Sequence, residues 1–240
     1  YPIFRINSKT RDSKNCGVLL FIFSNNSFST FLRIILCPDI IKSSGGKGKT
    51  ILDLGCGKGY VGMALSKDNK VVFAEIDAEE IKDVKGARVI LDALDMPFKA
   101  GSFDYVICAD VLEHIEDDEK VLRNIHSILK KGGKAIIAVP AYSVLYGHHD
   151  RLVHHYRRYD KKPFEKLAGK AGFKIKSFRY TCSLLFFPWL FNQRFVRNDK
   201  VYTGKSKIER KLLPVLDFVA ELESSLRLPF GINLQFILEK

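Results

Sequence analysis

The chain has 240 residues, 46% of them hydrophobic, and a formal net charge of +12. It is long enough to bury a substantial core in one domain with appended segments, so it has no need of disulfide support. Its five cysteines are odd in number and lack C-x-x-C spacing, which argues against a disulfide scaffold and predicts a reducing, cytoplasmic compartment.

The positive charge is concentrated in the two flanks of the chain. Counted along the sequence, the net charge is +6 for residues 1–49, −4 for residues 50–149 and +10 for residues 150–240. Basic flanks attract an anionic substrate or surface, such as nucleic acid, a phosphorylated lipid or glycan carrier, or an anionic membrane face. Ordinary lysine-rich solubility explains the same charge.

The first 49 residues show a poor pattern. We expect a helical or lid segment on the substrate side, with a helix near residues 27–36 and a linker at 43–49. The apolar run at 17–23 is too short for a secretion signal and is not followed closely by a small-residue cleavage site.

Residues 51–62, ILDLGCGKGYVG, are the most informative stretch. They predict a buried strand carrying Asp53, then a turn with glycines at positions 55, 57 and 59. Glycine permits a positive φ and has no Cβ, so the backbone can lie against a ligand while its N–H groups remain available. Glycines 57, 59 and 62 also fit the G-x-G-x-x-G pattern of dinucleotide-binding folds, but that register places Asp53 and Gly55 inside or at the end of the strand.

Three further acidic positions follow predicted strands. Residues 70–77 read as a strand ending in Glu75, residues 89–101 as a strand and loop with Asp92, and residues 102–114 as a buried strand followed by Asp110. Parallel sheets bind ligands at the carboxyl ends of their strands, so these side chains are expected at one edge.

The remaining pattern continues the alternation of strands and helices. Predicted are a helix at 116–131, a strand at 134–139, a helix capped by Asp160, and strands at 173–180 and 233–238. The alternation argues for a three-layer α/β sandwich.

From residue 51 to residue 178 the chain resembles the type 11 branch of class I S-adenosylmethionine-dependent methyltransferases, including the run DVLEH at 110–114. The resemblance implies a Rossmann-like sandwich around a mostly parallel, seven-stranded sheet with an antiparallel edge hairpin. It divides the chain into the N-terminal segment, a catalytic core at 50–180, a helical insertion at 181–228 on the substrate side, and a final edge strand at 229–240.

The resemblance also implies a site for S-adenosylmethionine and its product S-adenosylhomocysteine. Glu75 corresponds to the residue that accepts from both ribose hydroxyls, Asp92 to the acceptor of the adenine amino group, and the N–H of Ala93 to the partner of a ring nitrogen. The rest of the predicted cofactor site comprises Asp53, Gly55, Gly57, Gly59, Ile76 and Asp110.

Histidines are the candidates for removing a proton from the acceptor. We predict His149 and His114 as catalytic residues, with His148 as a third candidate and Asp150 as an orienting carboxylate. Arg157 and Arg158, in the same loop, are predicted to contact a phosphate or carboxylate of the acceptor.

A metal site is a second interpretation of these residues. Asp110-x-x-Glu113-His114 is similar to the E-x-x-E-H run with which some quinone-biosynthesis and small-RNA methyltransferases bind a divalent ion, and His148 or His149 would supply the last ligand. DVLEH also occurs in metal-free relatives, so the metal is undecided. The histidines at 148, 149, 154 and 155 admit zinc, but the interleaved arginines favour a basic loop at the acceptor.

The run LLFFPWLF at 184–191 is strongly apolar and is followed by basic residues. It is typical of an insertion packed on the sheet edge, and also of a membrane-interface contact or a lipophilic acceptor pocket. We therefore expect methyl transfer to a small or lipid-linked acceptor, at oxygen. The alternatives are an RNA methyltransferase and a non-catalytic S-adenosylmethionine-binding protein.

Overall fold

A computed structural model describes residues 47–191, 222–223 and 226–240. The predictions for the N-terminal segment, including the helix at 27–36, and for most of the insertion lie outside these residues.

The described residues form a seven-stranded sheet flanked by helices. The strands are β1 (Thr50–Leu54), β2 (Lys70–Glu75), β3 (Ala87–Ile90), β4 (Phe103–Ala109), β5 (Leu129–Pro140), β6 (Lys174–Thr181) and β7 (Asn233–Glu239). The helices are α1 (Tyr60–Leu65), α2 (Ala78–Ile81), α3 (Asp118–Ile128), α4 (His148–Leu152), α5 (Lys161–Lys170) and α6 (Phe186–Phe191), with 3-10 turns at Leu112–His114 and Ser143–Leu145.

The order across the sheet is β3-β2-β1-β4-β5-β7-β6. Strands β1 to β5 are paired in parallel, and β7 runs antiparallel to both of its neighbours. The predicted mostly parallel sheet with an antiparallel edge hairpin is therefore confirmed. Chain order changes direction beside β1, which places the carboxyl ends of β1 and β4 at the position where such sheets bind ligands.

Each face of the sheet carries its own apolar core, because side chains alternate between the faces. On one face, Val61 of α1 and Ile81 of α2 pack with Ile51 and Phe73. On the other, apolar residues of α3 and α5 pack with alternate residues of β1, β4, β5 and β7. The two cores fix the sheet between helical layers and hold the strand ends in place.

Two element boundaries differ from the sequence prediction. Helix α3 ends at Ile128, and the next three residues begin β5, because Leu129 is extended, buried and paired with Phe103 of β4. Asp160 does precede α5, but its side chain makes no capping hydrogen bond; it accepts from the amide of Ser143 at 3.3 Å instead. Local pattern could not foresee either tertiary contact.

The described cysteines, Cys56, Cys108 and Cys182, are all reduced and buried. They act as small apolar residues of the core. None of the helices in the described ranges combines the length and the hydropathy required to cross a membrane.

Candidate active site

The glycine turn between β1 and α1 has the predicted conformation. Gly55, Gly57 and Gly59 have φ of 64°, 51° and 70°, a region that residues with a Cβ rarely adopt. A Cβ on Gly55 would also lie 2.2 Å from Cγ2 of Val111. The turn therefore requires glycine for conformation and, at Gly55, for space.

The amides of the turn are less available than predicted. Gly55 and Cys56 donate to the carbonyl of Ala74 at 2.8 and 3.1 Å, and Gly59 donates to the carbonyl of Cys56 at 2.8 Å. The amide of Gly57 donates to Oε2 of Glu75 at 2.7 Å. What the turn offers a ligand is thus a backbone surface without side chains, beside a carboxylate.

Asp53 lies inside the protein and is positioned for a structural contact. It is 5% exposed, and its Oδ2 accepts from the amide of Gly62, in the first turn of α1, at 3.0 Å. This contact ties the end of β1 to the start of α1. Asp53 therefore positions the turn, and its predicted contact with the cofactor stays a prediction.

Glu75 ends β2 next to the glycine turn, as predicted for a ribose-binding residue. Its Oε1 accepts from the amide of Ile76 at 2.9 Å. An ionised carboxylate offers about four acceptor sites, so both oxygens retain capacity for ribose hydroxyls. Ile76 is 66% exposed and presents an apolar surface directly beside this carboxylate.

The loop after β3 carries Asp92 and Ala93. Oδ1 of Asp92 accepts from the amide of Leu94 at 2.8 Å, which closes a tight turn. The side chain of Asn124, on α3, donates to the carbonyls of Ala93 and Leu94, both at 3.1 Å. Asn124 therefore fixes this loop from the neighbouring helix, a role that the sequence reasoning missed.

Asp110 follows β4 with a φ of 55°, and its Oδ1 accepts from Nδ2 of Asn233 at 3.2 Å. Tyr142 after β5 and Cys182 after β6 also have positive φ, and so does His154. Three of these four strained non-glycine residues follow the carboxyl ends of strands. Strain of this kind concentrates where a structure positions groups for function.

A second set of polar residues lies near the carboxyl end of β4. Two of its members are in the 3-10 turn at Leu112–His114, and the third is in the loop after α4. Glu113, His114 and His155 each place a ligand atom within 4.8 Å of the others. The rings of His114 and His155 pack edge to face with centroids 4.6 Å apart. Oε1 of Glu113 lies 4.0 Å from Nε2 of His155. We call these three residues the Glu-His-His cluster.

Asp150 orients one member of the cluster, His155. Its Oδ1 lies 3.0 Å from Nδ1 of His155 and 2.8 Å from Nε of Arg158, and its Oδ2 accepts from the amide of Gly147 at 2.9 Å. Burial alone would raise the pKa of Asp150, but the hydrogen bonds from His155 and Arg158 outweigh it and hold the pKa below its ordinary value. The predicted orienting carboxylate thus acts on His155, which we had not singled out as a catalytic candidate.

Two members of the cluster, Glu113 and His114, have pKa values shifted toward their neutral forms. Burial and the nearby Asp110 raise the pKa of Glu113 well above its ordinary value. His114 keeps an exposed side, but partial desolvation by neighbouring protein atoms, together with His155, lowers its pKa to about 4. At neutral pH His114 is therefore an uncharged imidazole.

His149 and His148 lie on α4, outside the cluster. Burial lowers the pKa of the half-buried His149, whereas His148 is exposed. Among the described residues, the group that converges on Glu113 and His114 includes neither of them and does not include Asp110. The five-residue spacing between Asp150 and His155 is a signal for their contact. With four histidines between positions 148 and 155, however, the sequence does not show which one meets Asp150.

Arg157 and Arg158 make contacts inside the protein. Arg157 donates to Asp118 at 3.0 Å and to the carbonyl of Glu116 at 2.7 Å. Arg158 has a side chain 4% exposed, pairs with Asp150 and lies over the ring of Trp189 at 4.8 Å. Their predicted role in binding an acceptor anion is not supported, because both guanidinium groups hold the loop to the core.

An aromatic group lies at the same end of the sheet, beyond β5 and β6. Tyr142 stacks on Tyr180 with centroids 5.5 Å apart and also contacts Phe186, and Phe230 packs against Phe186 and Phe187. Phe187 is 63% exposed. Within the apolar run at 184–191, Trp189 is buried and lies against Arg158, whereas Phe187 points outward.

The sequence from residue 52 to residue 137 matches the model of the methyltransferase domain family. With the sheet order and the glycine turn already described, this match decides the class of the fold. Residues 52–137 form a class I S-adenosylmethionine-dependent methyltransferase domain.

The curated proteins to which this chain is similar have names that indicate different acceptors. An uncharacterised protein of Methanocaldococcus jannaschii is 32% identical over 62% of this chain and 64% of its own length. A ubiquinone biosynthesis O-methyltransferase of Coxiella burnetii is 31% identical over 37% and 42%. A phosphoethanolamine N-methyltransferase of Caenorhabditis elegans is 34% identical over 56% and 35%. The chain thus spans less than two thirds of the length of each of these relatives.

The same fold also occurs in solved structures. A crystal structure of a methyltransferase from Bacillus halodurans superimposes with a TM-score of 0.60 at 18% identity, covering 88% of this chain and 99% of that one. At this identity the match supports the shared architecture alone.

Proposed function

We propose that the protein transfers the methyl group of S-adenosylmethionine to an oxygen of a small-molecule or lipid-linked acceptor. The observation that carries the proposal is the position of the Glu-His-His cluster. Glu113 and His114 of this cluster follow β4. The glycine turn, Glu75 and Asp92 lie at the carboxyl ends of β1, β2 and β3. The donor and the acceptor would therefore meet at one edge of the sheet.

The reaction would be an in-line displacement. The acceptor oxygen forms a bond to the methyl carbon while the carbon–sulfur bond breaks, and S-adenosylhomocysteine leaves with the bonding electrons on sulfur. Alignment of oxygen, carbon and sulfur supplies much of the acceleration. The protein's task is therefore to hold the donor against the glycine turn and to keep the acceptor beside Glu113, His114 and His155.

The donor fits the residues present. The Cβ-free surface at Gly55 and Gly57 admits close approach, Glu75 retains acceptor capacity for ribose hydroxyls, and Ile76 presents an exposed apolar surface next to it. Asp92 and Ala93 lie in the loop that Asn124 fixes. This loop follows β3, the strand that pairs with β2, at whose end Glu75 lies. These residues bind and orient the donor in our proposal.

Two observations favour a hydroxyl-bearing, partly apolar acceptor. The cluster contains uncharged imidazole at neutral pH, which suits removal of a proton from a hydroxyl. Tyr142, Tyr180 and Phe187 provide an aromatic surface at the same end of the sheet, which suits an apolar chain or ring. Of the predicted catalytic residues we retain His114 and give His149 no direct role.

The proposal is tested by incubating the full chain with S-adenosylmethionine tritiated in its methyl group and an extract separated into lipid, small-molecule and RNA fractions. Label in the lipid or small-molecule fraction that resists acid hydrolysis as an ether supports it. Label confined to RNA would instead make the protein a nucleic-acid methyltransferase, and no label in any fraction despite tight donor binding would make it a binding protein.

A further inference from the structure

The Glu-His-His cluster contains a buried carboxylate oxygen that nothing in the described chain satisfies. Glu113 is 1% exposed, and its Oε2 has no hydrogen-bond partner among the described residues. An unsatisfied buried carboxylate is costly and calls for a partner. Two imidazoles, those of His114 and His155, place a ring nitrogen within 4.8 Å of a carboxylate oxygen of Glu113.

Both imidazoles already have the outer contacts that orient metal ligands. Nδ1 of His155 is hydrogen-bonded to Oδ1 of Asp150. The other ring nitrogen, Nε2, lies 4.0 Å from Oε1 of Glu113. His114 makes a hydrogen bond to the backbone of His154. Histidines that bind metals commonly donate their other ring N–H to a carboxylate or a backbone carbonyl in this way.

We propose that Glu113, His114 and His155 form a binding site for a divalent first-row transition ion, with Zn²⁺ as the prototype. Two imidazole nitrogens and one carboxylate oxygen suit such ions better than Mg²⁺ or Ca²⁺, which prefer oxygen ligands. Three protein ligands leave one or more coordination positions open for water or an acceptor oxygen.

The site must contract slightly when the ion binds. Ligand bonds of about 2.1 Å place the donor atoms of one zinc ion roughly 3 to 3.5 Å apart. The donor atoms of the cluster lie within 4.8 Å of one another. Side-chain rotations that move each of these atoms by about 1 Å would bring them to the ion's bond distances. His114 lies at the accessible side of the cluster, which provides a path for the ion.

The proposed set of ligand residues differs from the one that the sequence motif indicated. Asp110 is outside the set and accepts from Asn233, and His155 replaces His148 and His149. The role of the ion rests on the proposed methyl transfer: with the ion bound, His114 serves as a ligand and not as the base, and a hydroxyl coordinated to the ion would lose its proton to water more readily. Binding of the ion does not depend on that role.

The test is a titration of the chelator-treated full chain with Zn²⁺ by calorimetry and with Co²⁺ by visible absorption. We expect one equivalent of either ion and a cobalt d–d band. Glu113→Gln and His155→Ala should each weaken binding by a factor of about ten or more, as loss of a ligand does at least as much harm as loss of an outer contact. His148→Gln, on α4 and outside the cluster, should leave the affinity unchanged.

Binding of S-adenosylmethionine to the same samples separates this inference from the proposed function and reports on folding. No stoichiometric Zn²⁺ binding by a chain that binds the donor would overturn the ion site alone. A preference for Mg²⁺, or an affinity that falls equally in His148→Gln, would also overturn it. Loss of donor binding in the unsubstituted chain would count against the proposed function and leave the ion titration interpretable.

Discussion

The carboxylate of Glu75 accepts a hydrogen bond from the amide of Gly57 at 2.7 Å, so the end of β2 is fastened to the glycine turn that follows β1. The two residues lie 18 positions apart in the chain. One side chain thereby shapes the turn and remains beside the surface that the donor would occupy. Donor affinity should therefore be sensitive to this carboxylate in two ways.

Replacing Glu75 with Gln should weaken binding of S-adenosylmethionine by a factor of about ten or more, because a charged acceptor contributes roughly 1.5 to 3 kcal/mol. Calorimetry on the purified chain measures this. Asp77→Asn is the matched control, since Asp77 lies two residues after Glu75 and caps α2 through the amide of Glu79. Equal losses in both variants would contradict the assignment.

Gly55→Ala should destabilise the fold and abolish donor binding. The new methyl would lie 2.2 Å from Val111 and would adopt an unfavourable φ, which together cost about 2 to 5 kcal/mol. Gly101→Ala separates the two effects, since Gly101 has a similar φ of 70° and a methyl group added there would meet nothing within 4 Å. Urea unfolding should show a clearly smaller loss for Gly101→Ala; indistinguishable losses would mean that crowding at Gly55 is unimportant.

Asn124→Ala should raise the KM for S-adenosylmethionine by about five- to tenfold with little change in the acceptor KM. It removes two hydrogen bonds to the loop of Ala93, each worth about 1 kcal/mol. Initial rates at varied donor and acceptor concentrations measure the effect. Asn69→Ala is a control at the start of β2, where the side chain bonds to Leu65 and Lys49; a donor KM that rises as much there would contradict the role of Asn124.

Asp104 should make the fold more stable at neutral pH than in acid. Burial alone would raise its pKa, but the hydrogen bonds from Lys130 and from the amide of Thr50 prevail and lower it. A carboxyl whose pKa is lower in the folded state contributes stability above its unfolded pKa of about 3.9, and that contribution is lost as the pH falls through the folded pKa.

The difference in unfolding free energy between the unsubstituted chain and Asp104→Asn should therefore be largest near neutral pH and shrink below about pH 4. Urea unfolding at several pH values checks this. Glu165→Gln, at an exposed pair 3.9 Å from Lys161, should show a much weaker pH trend. A difference for Asp104→Asn that is independent of pH would refute the account.

The class of sheet was predictable because the sequence carries local signals for it, and the family resemblance added the antiparallel edge hairpin. The apolar run before Gly55, the acidic residues after three strands and the alternation of helices and strands each restrict the backbone, and together they define the class of sheet. The prediction for Glu75 belongs to this group, since its place at the end of β2 follows from the chain pattern alone.

Side-chain pairings across distant segments were not predictable. Asp53 and Arg158 were assigned to ligands, but Asp53 serves a buried amide and Arg158 neutralises Asp150. His155 could not be chosen over His149, because the fold of the loop after α4 decides which ring meets Glu113. Asn124 acts on a loop 30 residues away, a contact for which the sequence carries no local signal.

The most direct test of the central claim is calorimetry of the purified chain with S-adenosylmethionine, S-adenosylhomocysteine and NAD in parallel. We predict that the two adenosyl ligands bind with one equivalent each, and that Glu75→Gln weakens both. Clear binding of NAD with no heat from either adenosyl ligand would contradict the assignment of the glycine turn and, with it, the proposed methyl transfer.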